Sequence, residues 1–301
     1  MPARFQQVTL RSFAKINLGL HILAKRSDGY HEVRTVFQTL ALHDRLTIRR
    51  VPGKRIRFSC NLPELETSSN LVVRAIQLFQ KESKMSGGFE VQLVKRIPLG
   101  SGLGGGSSNA AVALRGICEL LGISVPAAVL FDWGGALGSD VPFFFVGGRA
   151  LGLGIGSEVY PVPELPKKHV LLAIPPTGVS TVDAYGRLSL QLTKRVGASK
   201  IPVFCPGFLD SLVMGKAQEN DFEVLFFEDF PELQGLKAGW LKCGAEAAGL
   251  SGSGSALFGV FAAKRDLRKA VLVGTGQQLR FIQTRTLNRE EYRKGIVESL
   301  Q

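Results

Sequence analysis

Glycine is concentrated in one short segment of this chain. Residues 98–111 read PLGSGLGGGSSNAA, and five of the seven positions from 100 to 106 are glycine. The segment follows an alternating apolar stretch typical of a strand, residues 89–93, and precedes an apolar pattern typical of a helix, residues 108–121. Glycine lacks Cβ, so main-chain N–H groups can approach an anion closely and φ can be positive.

The start of the helix strengthens the prediction of an anion site. The first turn of a helix carries unpaired N–H donors and a partial positive charge, which together favour phosphate. A tight loop that only caps the helix would not need five glycines, because each glycine loses entropy on folding. The predicted phosphate-binding residues are Pro98, Leu99, Gly100, Ser101, Gly102, Leu103, Gly104, Gly105, Gly106, Ser107, Ser108 and Asn109.

Several classes of phosphate-binding site are excluded, because the other residues that they require are missing from the sequence. Gly100 to Gly105 satisfies GxGxxG, but a dinucleotide site needs an acidic residue about 20 positions later, at the end of the next strand. Glu119 has that spacing but lies within the predicted helix. The chain contains no GKS or GKT, which excludes a Walker A loop, and no HRD or DFG, which excludes a protein kinase.

Composition sets the broad class. The chain has 301 residues, 45% of them apolar, enough for one large domain or two. Its net charge of +12 favours anionic partners such as nucleic acid, an acidic membrane surface or phosphorylated small molecules, and is equally consistent with solubility alone. The four cysteines are far apart and form no CxxC, so we expect a reducing cytoplasm and no zinc site. No apolar run reaches the roughly 18 residues of a membrane helix, and we expect no secretory signal.

Periodicity predicts a mixture of helices and strands. Alternation over 13–24, 33–42, 46–51 and 56–60 predicts an initial β-meander. The apolar run 141–146 is interpreted as a short buried strand, and residues 290–300 as a terminal helix. The proline-rich segment 161–168 is the best candidate for a domain boundary, since no polar linker is present.

Four further segments, together with the glycine loop, resemble the signatures of the GHMP kinases, which phosphorylate small molecules. Near the start, AKINLGL over 14–20 is followed by KRSDGYH over 25–31. Later segments are GSDVPFF over 138–144 and LSGSGSA over 250–256. The resemblance is strongest to members that act on a cytidine diphosphate-linked methylerythritol. Two departures are Ser12-Phe13, where Ala-Pro is common, and Leu250 in place of a usual Met.

The resemblance implies an α+β fold and a reaction. The expected architecture is the two-domain GHMP-kinase fold, with the active site in the interdomain cleft. Residues 1–162 would form the N-terminal domain with the ATP loop, and 163–301 a ferredoxin-like C-terminal domain. The implied reaction transfers phosphate from ATP, with Mg²⁺, to the 2-hydroxyl of the erythritol moiety in non-mevalonate isoprenoid synthesis.

The resemblance also assigns roles to individual residues. It implies that Lys15 and Asp140 are catalytic, that Tyr30 and His31 recognise the cytosine, and that Tyr185 stacks on it. The other implied substrate-binding residues are Asn17, Thr181, Gly252 and Ser253. Without the resemblance, Lys15 could be a solvated strand lysine, Asp140 a turn aspartate, Tyr30 a cover for a core edge, and Gly252 part of a simple turn. No acidic cluster predicts a protein cage for metal, so Mg²⁺ would arrive with ATP.

Two alternative functions stay open at this stage. One is another GHMP kinase, acting on homoserine or mevalonate, whose substrates carry no cytosine for His31 to recognise. The other is a basic nucleic-acid-binding protein, which would need an RNP-like aromatic strand, a zinc motif or a basic helix with interleaved aromatics. None of these patterns is present, so we expect neither nucleic acid nor a membrane as partner.

Overall fold

Two β-sheets and the helices packed on them form the framework of the protein. The computed structural model describes residues 5–85, 87–176, 184, 186–187, 219–274 and 278–301. The strands are β1 (Gln7–Lys25), β2 (His31–Val51), β3 (Ile56–Cys60), β4 (Gly88–Val94), β5 (Arg149–Leu153), β6 (Glu158–Pro161), β7 (His169–Ile174), β8 (Ala247–Leu250), β9 (Leu257–Phe261), β10 (Arg280–Arg285) and β11 (Val297–Leu300).

The helices lie between these strands along the chain. They are α1 (Leu71–Ser83), α2 (Gly105–Leu121), α3 (Ala127–Leu137), α4 (Phe143–Val146), α5 (Glu223–Asp229), α6 (Pro231–Lys242), α7 (Lys264–Val273) and α8 (Arg289–Ile296). Among the described residues, no helix combines the length and apolarity needed to cross a bilayer.

The two sheets differ in topology. The larger has seven strands in the order β11-β1-β2-β4-β3, and β5 also pairs with β2 and carries β6. The smaller has four antiparallel strands in the order β10-β7-β9-β8. The predicted domain boundary after residue 162 falls between β6 and β7, which belong to different sheets.

Apolar faces hold the layers together. The stripe Val72, Ala75, Ile76 and Phe79 of α1 is buried, as its spacing predicts, and packs with α2 against the larger sheet. Asn70 caps α1 by accepting a hydrogen bond from the Val72 amide at 2.9 Å. A separate cluster joins Ala14, Ile16 and Leu18 of β1 to apolar residues of β7 and β9. Strand β1 therefore contributes to the core of both sheets.

The predicted β-meander is wrong. Strand β2 is a single strand of 21 residues, and β3 pairs in parallel with β4 instead of continuing the antiparallel order. Parallel neighbours require a crossover connection, and α1 supplies it between β3 and β4. Local alternation of apolar residues identifies strands but does not show which strands pair with each other.

The predicted strand over 141–146 is also wrong, because Phe143–Val146 forms the short helix α4. Gly147 ends it with φ of +67°, a conformation that favours glycine. A short, fully apolar run does not distinguish a buried strand from a buried helix. The predicted terminal helix ends early at Ile296, and β11 then pairs antiparallel with β1.

The chain end is fastened to the core by one aromatic side chain. Tyr292 of α8 is fully buried and its hydroxyl donates to the Phe144 carbonyl in α4. A Cβ at Gly147 would lie 1.9 Å from Tyr292 Cδ1. Gly147 therefore has both a conformational and a steric reason to be glycine.

We expect Gly147→Ala to lower the free energy of unfolding by about 2–5 kcal/mol, from left-handed strain and overpacking. The control is Gly135→Ala in α3, where a Cβ would have no neighbour within 4 Å. Removing a helix-interior glycine should stabilise by about 0.5–1 kcal/mol. Urea denaturation measures both, and equal effects would contradict the role given to Gly147.

Candidate active site

The glycine loop lies between β4 and α2, as its sequence context predicts. Gly100, Gly102 and Gly104 have φ values of +58°, +71° and +69°, which favour glycine. Helix α2 begins at Gly105, three residues before the predicted start, and no side chain caps it. The main-chain amides of its first turn are therefore not satisfied by a capping side chain, an arrangement suited to an anion.

A second glycine loop packs directly on the first. The Ser251 hydroxyl donates to the Gly102 carbonyl at 3.0 Å, and the Ala256 amide donates to the Ser101 carbonyl at 3.0 Å. A Cβ at Gly102 would lie 1.9 Å from the Ser251 carbonyl oxygen. The segment from Ser251 to Ala256 therefore braces the first loop and is more than a simple turn between strands.

A buried lysine faces an aspartate beside these loops. Lys15 Nζ lies 3.2 Å from Asp140 Oδ2, and the Lys15 amide donates to the Leu103 carbonyl at 3.0 Å. The Lys15 side chain is 3% exposed, whereas that of Asp140 is 32% exposed. The lysine is thus fixed in the protein, and the carboxylate remains open to a molecule entering the cavity.

Asn17 fixes the direction of the lysine. Lys15 Nζ donates to Asn17 Oδ1 at 2.5 Å, and Asn17 Nδ2 donates to Thr35 Oγ1 at 2.7 Å. The Thr35 hydroxyl in turn donates to the Gly19 carbonyl at 2.7 Å. Since an ammonium group has three donors, Lys15 can serve Asn17, Asp140 and one further acceptor.

These groups share one cavity of ≈ 490 Å³. Its lining contains Lys15, Asn17, Asp140, Gly252, Ser253 and residues 98–107 of the predicted set. The cavity also reaches Leu20, Leu71 and Lys95. Residues far apart in sequence thus meet at one site that can hold a phosphorylated molecule against a carboxylate and an ammonium group.

Other predicted residues lie elsewhere. Ser108 is buried with its hydroxyl 3.4 Å from that of Ser12, and Asn109 is buried against Asp44, so neither lines the cavity. Tyr30 and His31, at the end of the β1–β2 hairpin, do not line it either. Tyr30 is 59% exposed, whereas His31 is buried. Thr181 and Tyr185 lie outside the described residues.

Sequence reasoning missed a buried charged cluster behind the loop. Asp44 is fully buried and accepts hydrogen bonds from the Arg96 and Ile97 amides at 2.7 and 2.8 Å. Its other oxygen accepts from Lys95 Nζ and from Asn109 Nδ2, the latter at 2.9 Å. Asp44 therefore joins the chain entering the glycine loop to the first turns of α2. Asp44 falls between the predicted strands 33–42 and 46–51, where a lone acid carries no pattern that would identify it.

Asn220 performs a similar role for the second loop. Its side-chain amide donates to the carbonyls of Leu250 and Gly252, both at 2.8 Å. Its oxygen accepts from the Phe222 amide at 3.0 Å. The loop is thus held by a buried side chain on one side and by the first glycine loop on the other.

Family comparisons agree with this arrangement. Residues 70–148 match the model for the GHMP kinases N terminal domain, and residues 212–273 match that for the GHMP kinases C terminal. A 4-diphosphocytidyl-2-C-methyl-D-erythritol kinase from Solibacter usitatus (strain Ellin6076) is 42% identical over 266 residues, 87% of this chain and 84% of the relative. The chain belongs to the GHMP kinase family.

Further relatives support the same placement within the GHMP kinases. A 4-diphosphocytidyl-2-C-methyl-D-erythritol kinase from Lachnospira eligens is 37% identical, covering 85% of this chain and 89% of the relative. A crystal structure of 4-(cytidine 5'-diphospho)-2C-methyl-D-erythritol kinase superposes with a TM-score of 0.75 and 32% identity, over 93% of this chain and 100% of that one.

A more distant structure shows how widely the fold is shared. Homoserine kinase from Cytophaga hutchinsonii has a TM-score of 0.67 at 18% identity, over 96% of each chain, which shows the fold alone. The predicted α+β GHMP-kinase fold is confirmed.

We expect Asp44→Ala to lower the free energy of unfolding by about 3–5 kcal/mol, because it leaves the buried Lys95 charge without its carboxylate. The control is Asp132→Ala, which removes an exposed carboxylate from α3 and should change stability by less than about 0.5 kcal/mol. Urea denaturation measures both variants. A loss at Asp44 no larger than that at Asp132 would refute the bracing role.

Proposed function

We propose that this GHMP kinase transfers the γ-phosphoryl group of ATP to the 2-hydroxyl of 4-diphosphocytidyl-2-C-methyl-D-erythritol, a step of non-mevalonate isoprenoid synthesis. The observation that carries the proposal is the Lys15–Asp140 pair, 3.2 Å apart, in the same cavity as the glycine loop. Relatives named for this activity, 33–42% identical in the cases compared, support the choice of substrate.

The glycine loop and the start of α2 fit a triphosphate. The loop offers main-chain donors with no Cβ to block an approaching oxygen, and an uncapped helix start favours negative charge. A methyl group at Gly104 would come within 2.9 Å of Lys15 Cγ, so the space beside the lysine depends on glycine. We assign residues 98–107 to the phosphates of ATP, with Ser108 and Asn109 as their structural support.

Mg²⁺ fits this site as a companion of ATP. Within the described ranges, no group of three or more His, Cys, Asp or Glu could hold a metal. The Asp140 carboxylate and the Ser107 hydroxyl, both lining the cavity, are oxygen donors of the kind Mg²⁺ accepts. Bound there with ATP, the ion would neutralise phosphate charge.

Asp140 and Lys15 have separate roles at the acceptor hydroxyl. The hydroxyl oxygen attacks the γ-phosphorus, the bond from that phosphorus to the β–γ bridging oxygen breaks, and the hydroxyl proton passes to an Asp140 oxygen. Lys15, held by Asn17, keeps positive charge beside the reacting oxygens, where it stabilises the negative charge that develops. Both side chains are set before the substrate binds, so little reorganisation is needed.

The cytidine end is assigned to the β1–β2 hairpin. Burial, with the positive charge of Lys25, holds the pKa of His31 below its ordinary value of 6.5. A neutral imidazole both donates and accepts, which suits the edge of cytosine. We assign His31 and Tyr30 to the base, Tyr185 to stacking, and Asn17, Thr181, Gly252 and Ser253 to the rest of the substrate.

The remaining assignments concern the domains, the compartment and the partners of the protein. We assign residues 1–162 and 163–301 to the two domains of the family, with the substrate in the cleft between them. The cytoplasm is the proposed compartment. The net charge of +12 would steer two polyanionic substrates towards the site, and no nucleic-acid partner is proposed.

The decisive test is ATP consumption with four acceptors: the cytidylyl erythritol, homoserine, mevalonate and galactose. We expect turnover with the first alone, and Asp140→Asn to lower kcat by roughly 10²–10⁴-fold, because the proton acceptor is lost. The KM for ATP should change much less than kcat, because main-chain amides hold most of the triphosphate.

Asp132→Asn is the matched control, since it removes an exposed carboxylate from the helix preceding Asp140. It should retain wild-type kcat. Turnover with homoserine or mevalonate in place of the cytidylyl compound would overturn the substrate assignment. Near-normal kcat in Asp140→Asn would overturn the assignment of the chemistry to Asp140.

The base assignment predicts a pH effect on the acceptor alone. Because the folded pKa of His31 is lowered, its imidazole is neutral at pH 7 and protonates only below pH 6.5. The protonated ring cannot accept a hydrogen bond, so the acceptor KM should rise as the pH falls through that lowered pKa. Steady-state kinetics from pH 5 to 8 would show it.

The KM for ATP, measured in the same buffers, is the internal control and should not follow this rise. In His31→Gln the acceptor KM should be higher at pH 7 and should lose the titration. If the wild-type acceptor KM shows no step below pH 6.5, His31 does not read the base in its neutral form.

A further inference from the structure

A second cavity, of ≈ 450 Å³, lies away from the candidate active site. Of the residues described by the structure, none lines both cavities. Its walls come from the middle of β2, the segment after β4, the start of β7, the first turn of α7, and β10. The lining residues are Ala41, Leu42, His43, Arg96, His169, Lys264, Leu267, Gln283, Thr284 and Arg285.

Every ionisable side chain that the described residues contribute to this lining is basic. Arg96, Lys264 and Arg285 carry positive charge, and the other ionisable residues of this lining are the histidines His43 and His169. Among the residues that the structure describes, no Asp or Glu lines the cavity. Like charges gathered in a concave surface repel one another and focus a positive potential, which an anion relieves.

The described carboxylates near the cavity pair with cations other than Arg96 and Lys264. Glu291 is 3.2 Å from Arg285, and Asp266 on α7 faces Lys269 and Arg265 at 3.3 and 3.7 Å. Asp44 is buried, and its carboxylate forms an ion pair with Lys95. Arg96 and Lys264 have no ion-pair partner in the part of the chain that the structure describes.

The remaining lining residues fit a small phosphorylated molecule. The Thr284 hydroxyl oxygen accepts from the Leu42 amide at 2.9 Å, so its own hydrogen can donate elsewhere. Gln283 adds amide donors, and Ala41, Leu42 and Leu267 provide an apolar wall. The volume lies within the roughly 300–1,000 Å³ range of small-molecule sites, whereas a nucleic acid would need an extended groove.

We propose that this cavity is a second anion site, which binds a small molecule carrying a phosphate or diphosphate group through Arg96 and Lys264. A guanidinium group matches two phosphate oxygens at once, and an ammonium group adds a point charge. Arg96 immediately follows Lys95, and the glycine loop begins two residues after it, at Pro98. The Arg96 amide donates to Asp44, so the proposed site adjoins the segment that Asp44 holds.

The histidines allow a site-specific test, because two of the four in the chain line this cavity. Protein labelled with ¹³C at histidine Cε1 is titrated with inorganic pyrophosphate at physiological salt, and the His43 and His169 signals are assigned with His→Gln variants. We expect both signals to shift saturably. His21 and His31 do not line this cavity and serve as reference signals, and the binding readout does not depend on the kinase activity.

The pocket variant is Arg96→Gln/Lys264→Gln, and the control is Arg265→Gln/Arg268→Gln. The control removes the same two charges from exposed positions of α7 that do not line the cavity. We expect the pyrophosphate Kd read from His43 and His169 to rise at least about tenfold in the pocket variant, since each charged hydrogen bond contributes about that factor. It should change by less than about threefold in the control.

Thermal unfolding measurements verify that both variants fold. We expect both to fold, because all four substituted residues are exposed. Orthophosphate and butyl phosphate distinguish the source of the ligand: tighter butyl phosphate indicates an organic ester against the apolar wall, and equal binding indicates inorganic phosphate. The proposal is overturned if the two signals shift weakly without saturation, if the control loses as much affinity as the pocket variant, or if a short RNA saturates the signals and pyrophosphate does not.

Discussion

The candidate site depends on the close contact between its two glycine loops. Gly102 approaches the Ser251 carbonyl so closely that a single Cβ would separate them, and hydrogen bonds from Ser251 and Ala256 join the loops. Glycine-rich backbone loses much entropy on ordering, so a loop of this composition needs external support to keep one conformation. The second loop provides it, which is why main-chain amides can be pre-arranged for an anion without a rigid side chain among them.

That contact also explains why β1 is buried on both sides. Its Ile16 face packs on the second sheet, and its Lys15 face meets the first glycine loop through the bond from the Lys15 amide to Leu103. The lysine is therefore positioned by a strand of the larger sheet that also packs on the smaller sheet. A charge this deeply buried is costly without partners, and the fixed oxygens of Asn17 and Asp140 offset that cost. Stability and chemistry depend on the same few atoms here.

Local patterns in the sequence predicted the parts of this site that local chemistry determines. Five glycines before a helix predicted the phosphate loop from the residues alone, whereas Lys15 and Asp140 were predicted from the resemblance to the GHMP kinases, and all of them line one cavity. The run 141–146 was misassigned because uniform apolarity has no period to distinguish helix from strand. Asp44 was missed because its partners, Lys95 and Asn109, become neighbours only when β2, β4 and α2 pack together. The basic cavity was missed for the same reason, since its cations come from separate elements.

The placement of the charges gives a physical reason for two separate basic regions in a chain of net charge +12. In the candidate active site, the buried cations are each matched by a carboxylate, Lys15 by Asp140 and Lys95 by Asp44. Such pairs fix geometry but leave little net charge to attract a ligand, so anion affinity there must come mainly from main-chain amides and the helix start. Around Arg96 and Lys264 the opposite holds: the cations are exposed, unmatched among the described residues, and free to bind an anion directly. The first region therefore orients a bound anion and the second attracts one. Lys95 and Arg96, consecutive in the segment after β4, belong to the first and the second region respectively.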